Sequence, residues 1–450
     1  MDYTKKVAEF VSQTPFESIP PAALDEAKRG LLDCVGVMLA GSKEESARIC
    51  AKLAKEESSS QESTVIGQGF KSSTLMAAFS NGTAGHALDF DHSFILGQPS
   101  AGLIPAILAL GEKVGASGRD ILVAYVVGFE VIARLARSMP DLSQGGWHST
   151  ATLGSLGSAV ACARLLKLDV QAIQQTLGIA SSMASGLVAN FATMTKPLHA
   201  GLASKNGVLA ARLAALGFTA NQTILGETKN FFTSFSKSLP FDLRPFEELG
   251  NSFDLVVRKI KFKPYPCGGL THPAVGAVLK MRERDKISPE AVESIKVRVT
   301  QHVYNTILNR LPETAIQGKF SMPYIVARAL TDGKLGLETF SEQAIRDPLV
   351  RSLGAKVAME LDPDLRENNE GSRPCKVILH RKDGSTLSEF VEFSKGGLQF
   401  PFSSQELRMK FTDCASRVIS TEAAAEVEKH IDHLEERDSL DPLFKLLIAA

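Results

Sequence analysis

The sequence carries no excess of either charge: Lys plus Arg and Asp plus Glu each number 50 among 450 residues. A broad basic face is therefore excluded, and with it a default nucleic-acid function, although a local cationic pocket is not. No run approaches the roughly 18 uninterrupted apolar residues of a membrane span. The longest candidate, Ile121 to Ile132, holds Glu130 and is flanked by Arg119, Asp120 and Arg134, which suits a buried helix. Cysteine is sparse. Cys34, Cys50, Cys162, Cys267, Cys375 and Cys414 are scattered without a CxxC pair, so neither a zinc ribbon nor a disulfide framework is indicated. The N-terminus, Met1 to Lys6, lacks the apolar run and cleavage site of a secretory signal, so a reduced, cytoplasmic protein is expected. There is no internal repeat, no low-complexity tract and no Gly-rich phosphate loop. Gly154-Ser155-Leu156-Gly157 follows a helical stretch rather than a strand, which argues against a dinucleotide site.

What is present is an ordinary globular composition, 44% hydrophobic and 22% charged, long enough for two or three domains. To about residue 220 the pattern is helical and strand signals are nearly absent. Leu24, Ala27, Leu31, Leu32, Val35 and Met38 recur at helical spacing after Ser18–Pro21 and stop at Gly41. Ala- and Gly-rich stretches at 72–87, 101–111, 151–166 and 200–217 suggest helices packed at close range. The character changes near residue 255. Asp254–Phe262 and Ser294–Thr300 alternate like strands, while Lys376–His380 and Leu387–Phe393 flank Lys382-Asp383-Gly384-Ser385, a hairpin with Asp-Gly at its turn. Helical stretches lie at Ala274–Met281 and Tyr324–Leu330, and helical periodicity returns from Ser404. The expected fold is mainly α with a smaller α+β domain: residues 1–264 and 404–450 in a large helical domain, residues 265–403 in a smaller mixed one.

Four segments carry candidate chemistry. In Gly85-His86-Ala87-Leu88-Asp89-Phe90-Asp91-His92, two histidines and two aspartates fall within seven residues. A solvated helix end, acid–base work and metal binding all remain open, and a metal-dependent hydrolase is one alternative function. In Gly145-Gly146-Trp147-His148-Ser149-Thr150 the histidine precedes a helix expected from Ala151, capped by Ser149 or Thr150. A helix N-terminus favours neutral imidazole, suited to a general base; an ordinary capping role is equally compatible. In Thr195-Lys196-Pro197-Leu198-His199 and the following Ala-rich run to Lys205, cations stand in an apolar setting beside a helix start, a good place for a carboxylate. In Phe262 to Pro273, Cys267 invites a nucleophile reading but has no identifiable orienting group, and His272 is better read as aimed into a cleft.

Taken in order, Asn81–Asp91, Gly146–His148, Thr195–His199, Phe262–Pro266 and Gly318-Lys319-Phe320-Ser321-Met322-Pro323-Tyr324 resemble the MmgE/PrpD superfamily. That superfamily includes 2-methylcitrate dehydratase, cis-aconitate decarboxylase and iminodisuccinate epimerase. The likeness spans nearly the whole chain, and the ordered set is more specific than any one piece. It implies chemistry without a redox cofactor or metal on a small di- or tricarboxylate, with a proton removed beside a carboxylate. Asp89, His148, Lys196 and Tyr324 would be catalytic, Tyr324 reaching in from the smaller domain. Gln98, His199, Lys205, Lys263 and His272 would bind substrate. A homodimer is expected, with neither nucleic acid nor membrane as a partner. Family lyases carry a His-Pro-Ser shortly after the acidic cluster, where this chain has Gln98-Pro99-Ser100. Glutamine hydrogen-bonds but carries no proton at neutral pH. The competing readings are therefore an epimerase, a lyase using another acid such as His92, or a catalytically silent scaffold.

Overall fold

The computed structural model describes residues 2–57, 59–226, 229–236, 241–367 and 372–448. The chain divides into two compact units, Met1–Ile260 with Ser403–Ala450, and Lys261–Phe402. The fold is mainly α-helical, with a smaller part that mixes helices and strands. Among the described residues no helix is long and apolar enough to cross a membrane.

The first unit is built from α1 (Tyr3–Gln13), α2 (Pro21–Gly41), α3 (Glu45–Glu56), α4 (Thr74–Ala87), α5 (Pro99–Val114), α6 (Gly118–Ser138), α7 (Ser149–Leu165), α8 (Val170–Met183) and α9 (Thr195–Ala215). A short antiparallel pair, β1 (Ser63–Val65) and β2 (Phe70–Ser72), interrupts them. Helix starts follow the side chains available: Pro21 opens α2, Ser73 caps α4, and Ser117 and Asp120 form a capping box on α6. Apolar residues of α5, α6 and α7 supply much of the core, from Leu103 and Ile107 to Phe129, Leu153 and Leu156. Helices Ser404–Ala415, Thr421–Asp432 and Asp441–Leu447 return to this unit.

The small residues act as the composition implied. A Cβ on Gly201 of α9 would lie 2.4 Å from the Phe79 carbonyl oxygen and 2.3 Å from Thr83 Oγ1, both on α4. One on Gly82 of α4 would lie 2.8 Å from the Gly201 Cα. The α4 and α9 backbones are thus in contact, which sets how closely their side chains approach further along.

The second unit is a four-stranded sheet in the order β4-β3-β5-β6, with β3 (Val292–Val299) parallel to β4 (Val357–Leu361) and antiparallel to β5 (Cys375–Arg381). β5 and β6 (Thr386–Val391) form the expected hairpin, and Gly384 supplies φ +85° at its turn. Helices His272–Asp285 and Met322–Asp332 belong to the same unit.

One expected strand is absent. Asp254–Val257 is a helical turn, not the start of a strand. The cause is distant in sequence: the Glu130 carboxylate accepts from the Asp254 and Leu255 N–H groups at 2.9 and 3.0 Å, and Asp254 pairs with buried Arg134. Substituting Gly201→Ala forces the α4 and α9 backbones apart. We expect a loss of about 1–3 kcal/mol, the usual range for overpacking, in urea unfolding of the purified protein. An unchanged midpoint would contradict the backbone contact.

Candidate active site

Three elements of the first unit converge. α4 ends at Ala87, which leaves His86 in its last turn. Asp89 then takes a left-handed backbone conformation, φ +51°, which Asp tolerates better than most residues. That turn returns its carboxylate to within 3.0 Å of Lys196 Nζ, on the first turn of α9. Pro197 follows in the same turn, where a helix needs no N–H. Lys196 Nζ also lies 2.9 Å from His86 Nε2, and the Phe191 ring centroid is 5.4 Å away. Lys196 is only 4% exposed.

His148 is the residue preceding α7, so α7 starts at Ser149 and not at Ala151. Its side chain makes no capping bond. Its backbone N–H donates to the Gly186 carbonyl at 2.9 Å. Gly186 has φ +104°, and a Cβ there would lie 2.8 Å from Ala151 Cβ, so a glycine is required for this segment to run beside the helix start. The His148 ring stacks 5.6 Å from His86 and meets Phe191 edge-on at 4.8 Å. Its Nδ1 is 3.0 Å from His199 Nδ1, one turn along α9 from Lys196.

Burial pushes His148 well below the ordinary imidazole range, and the Lys196 ammonium with His86 and His199 push the same way. Burial, His86 and Lys196 together bring His199 down to about 4. His86 is also lowered, chiefly by burial, against an upward pull from Asp91. At pH 7 the three rings are therefore neutral. In the His148–His199 contact one Nδ1 must donate and the other accept. The donor then presents a bare Nε2 and the acceptor an Nε2–H, so the pair holds one base and one acid whichever ring takes which role.

His86, Asp89 and Asp91 offer ligand atoms within 4.8 Å of one another, the spacing that suggested a metal. Lys196 Nζ, however, already meets His86 Nε2 and Asp89 Oδ1, so a metal held by those two atoms would contend with a buried ammonium. The cluster is organised around a lysine cation.

Of the residues singled out in the sequence, Asp89, His148, Lys196 and His199 come together here. Gln98 stands at the start of α5, with its Oε1 accepting from Thr150 Oγ1 at 2.9 Å and its backbone N–H donating to the same oxygen at 3.0 Å. Thr150 is in the first turn of α7, two residues from His148, and was not foreseen as anything but a cap. Lys205 does not join the cluster: its ammonium lies over the Phe79 ring, 5.9 Å from the centroid. His92 is fully buried, bonded through Nδ1 to Asp33 at 2.9 Å and through Nε2 to Ser100 Oγ. It knits α2 to α5 and is not the replacement acid.

Lys263, His272 and Tyr324 belong to the second unit. Lys263 is buried there, and His272 Nε2 is 3.2 Å from the Cys267 carbonyl. The Tyr324 ring is completely buried; its hydroxyl donates to the Thr339 carbonyl and accepts from Arg328 Nε at 3.2 Å. Within its own unit the phenol oxygen is thus engaged both as donor and as acceptor. Cys267 is buried with its thiol 3.5 Å from Thr271 Oγ1, which removes the nucleophile reading.

The MmgE/PrpD N-terminal domain family matches residues 5–244 and the MmgE/PrpD C-terminal domain family residues 265–436. The chain is 30% identical over 460 residues to a cis-aconitate decarboxylase of Mus musculus, covering 99% of this chain and 93% of the relative. It is 31% identical over 439 residues to a cis-aconitate decarboxylase of Homo sapiens, covering 94% and 90%. It is 24% identical over 427 residues to a probable 2-methylcitrate dehydratase of Saccharomyces cerevisiae, covering 87% and 81%.

The depressed histidines make a prediction that needs no substrate. An imidazole whose folded-state value lies below its unfolded one favours the folded state above pH 6.5, and that stability is lost as pH falls. Histidine NMR titration should show His148 and His199 still neutral at pH 6. Titration of either near 6.5 would contradict the arrangement.

Proposed function

The chain belongs to the MmgE/PrpD family, and from that premise we propose that it is a carbon–carbon lyase that decarboxylates cis-aconitate or a similar unsaturated tricarboxylate. The observation that carries the reading is the Lys196 ammonium held at 2.9–3.0 Å by His86 and Asp89 beside the neutral His148–His199 pair. The decarboxylases that match nearly the whole chain support the same choice.

Loss of carbon dioxide breaks a C–C bond, and its electron pair forms a new double bond. The original double bond shifts its pair onto the carbon beside another carboxylate. Negative charge gathers there and spreads into that carboxylate, and the carbon then takes a proton. Lys196 is the cation that stabilises this charge, and a fixed cation in a water-poor site acts without reorganising. The ring that carries Nε2–H gives that proton to the carbon while its Nδ1 takes the Nδ1 proton of the other ring, and the bare Nε2 of that other ring is reprotonated from solvent. Dehydration of a methylcitrate-like acid passes through a similar carbanion formed by proton removal, so the same groups serve it in reverse protonation states.

Epimerisation of an iminodisuccinate-like diacid is the second reading. It is favoured by Gln98, which occupies the position of the histidine expected in family lyases and is bonded to Thr150. Epimerisation needs proton removal and return but no leaving group.

Proton NMR in deuterium oxide separates the readings. With cis-aconitate we expect carbon dioxide release and a dicarboxylate product bearing one deuterium beside a carboxylate. Lys196→Met should lower kcat/KM by about 100-fold or more. His148→Ala should lower turnover by about 100-fold while leaving the thermal transition in place. Deuterium exchange into a substituted succinate with no loss of carbon would move epimerisation to the front. No turnover of any polycarboxylate would refute both.

A further inference from the structure

Asp91 has no part in the chemistry outlined above, yet it is completely buried beside it. Both of its carboxylate oxygens lie 3.0 Å from His86 Nδ1. On the other side of the same ring, Nε2 is 2.9 Å from Lys196 Nζ. A carboxylate only accepts hydrogen bonds, so Nδ1 carries the ring proton. Nε2 is then bare and can accept from lysine. In the opposite tautomer an N–H would face the ammonium at that distance, and Lys196 would lose one of its two named acceptors.

We infer that Asp91 is a positioning residue for Lys196, acting through the tautomer of His86. It rests on the reading of Lys196 as the cation that meets the substrate's developing charge. Asp91 fixes the ring proton, the ring fixes the lysine, and Asp89 Oδ1 fixes its second direction. The three hydrogen bonds run from the turn after α4 across to α9, so a residue that never touches substrate sets the aim of one that does. Outer partners of this kind, where they orient a histidine at a metal, typically change activity 10–100-fold when removed.

The charged and titratable groups facing His86 are Asp89 and Asp91 from the turn that follows its helix, Lys196 and His199 from α9, and His148 at the start of α7. Cys34 on α2 faces Asp91. Asp91 is the largest upward influence on His86, against burial and Lys196. Removing its charge therefore lowers the pH at which His86 protonates and releases the lysine.

The test begins with the wild-type protein labelled with 15N-histidine. Long-range 1H–15N correlation at pH 7.5, assigned against His86→Gln, should show a protonated Nδ1 and a bare Nε2 at His86. The reverse tautomer, or an imidazolium, overturns the inference even if Asp91→Asn fails to fold. In Asp91→Asn we expect a gain of the Nε2–H form, kcat/KM on cis-aconitate about tenfold lower, and the acid limb of the pH profile moved to lower pH. A purely structural Asp91 would change yield or melting temperature and leave the tautomer and the limb where they were; that result also overturns the inference. The expected wild-type tautomer in a protein that turns over no polycarboxylate would sustain the hydrogen-bond chain while refuting the proposed reaction.

Discussion

A lysine ammonium in a nearly closed space is the constraint from which the rest of the first unit can be understood. Removing a charge from water costs several kcal/mol unless acceptors replace the lost hydration. Lys196 also sits in the first turn of a helix, where the backbone dipole is positive and makes its burial worse. Asp89 Oδ1 and His86 Nε2 answer this cost as acceptors. Bringing them to it requires α4 to stop at Ala87, Asp89 to turn left-handed, and α4 and α9 to run in backbone contact at Gly82 and Gly201. The glycines and the strained aspartate are thus parts of one arrangement.

The same cation explains the histidines. Burial acts in the same direction and is the larger influence on His148 and His199. Together they hold these imidazoles neutral at pH 7. The site can therefore keep a strong cation and a proton-accepting nitrogen side by side without one cancelling the other.

Much of the fold was legible because its signals are local. The Asp-Gly turn, the Pro21 start and the Ala/Gly stretches each depend on residues within a turn or two. The failures were nonlocal. Asp254–Phe262 alternates like a strand, but Glu130, 124 residues earlier, caps it as a helical turn. The His86–Asp89–Asp91 spacing reads equally as a metal site; only Lys196, 110 residues on, decides the matter. His92 looked chemically able, and it is, but its partners Asp33 and Ser100 commit it to packing. A motif shows which groups are available and leaves open what they are bonded to.

Gln98 shows the same distinction at the point where this chain departs from its family's pattern. Thr150 both donates to its side-chain oxygen and receives its backbone N–H, so the carboxamide oxygen is occupied and the amide nitrogen is the end left to turn elsewhere. An amide N–H is a donor to carboxylate but no source of protons. Replacing a titratable ring by such a donor keeps a hydrogen bond available for an anionic substrate and removes a proton carrier from the start of α5. The capacity to move protons in the first unit's cluster is thereby concentrated in the neutral imidazoles around Lys196. It is strongest for reactions whose difficulty lies in holding charge beside a carboxylate, with the proton transferred late, and weaker for those that must also protonate a poor leaving group. Decarboxylation belongs to the first kind and dehydration to the second; epimerisation removes its proton first but has no leaving group to protonate.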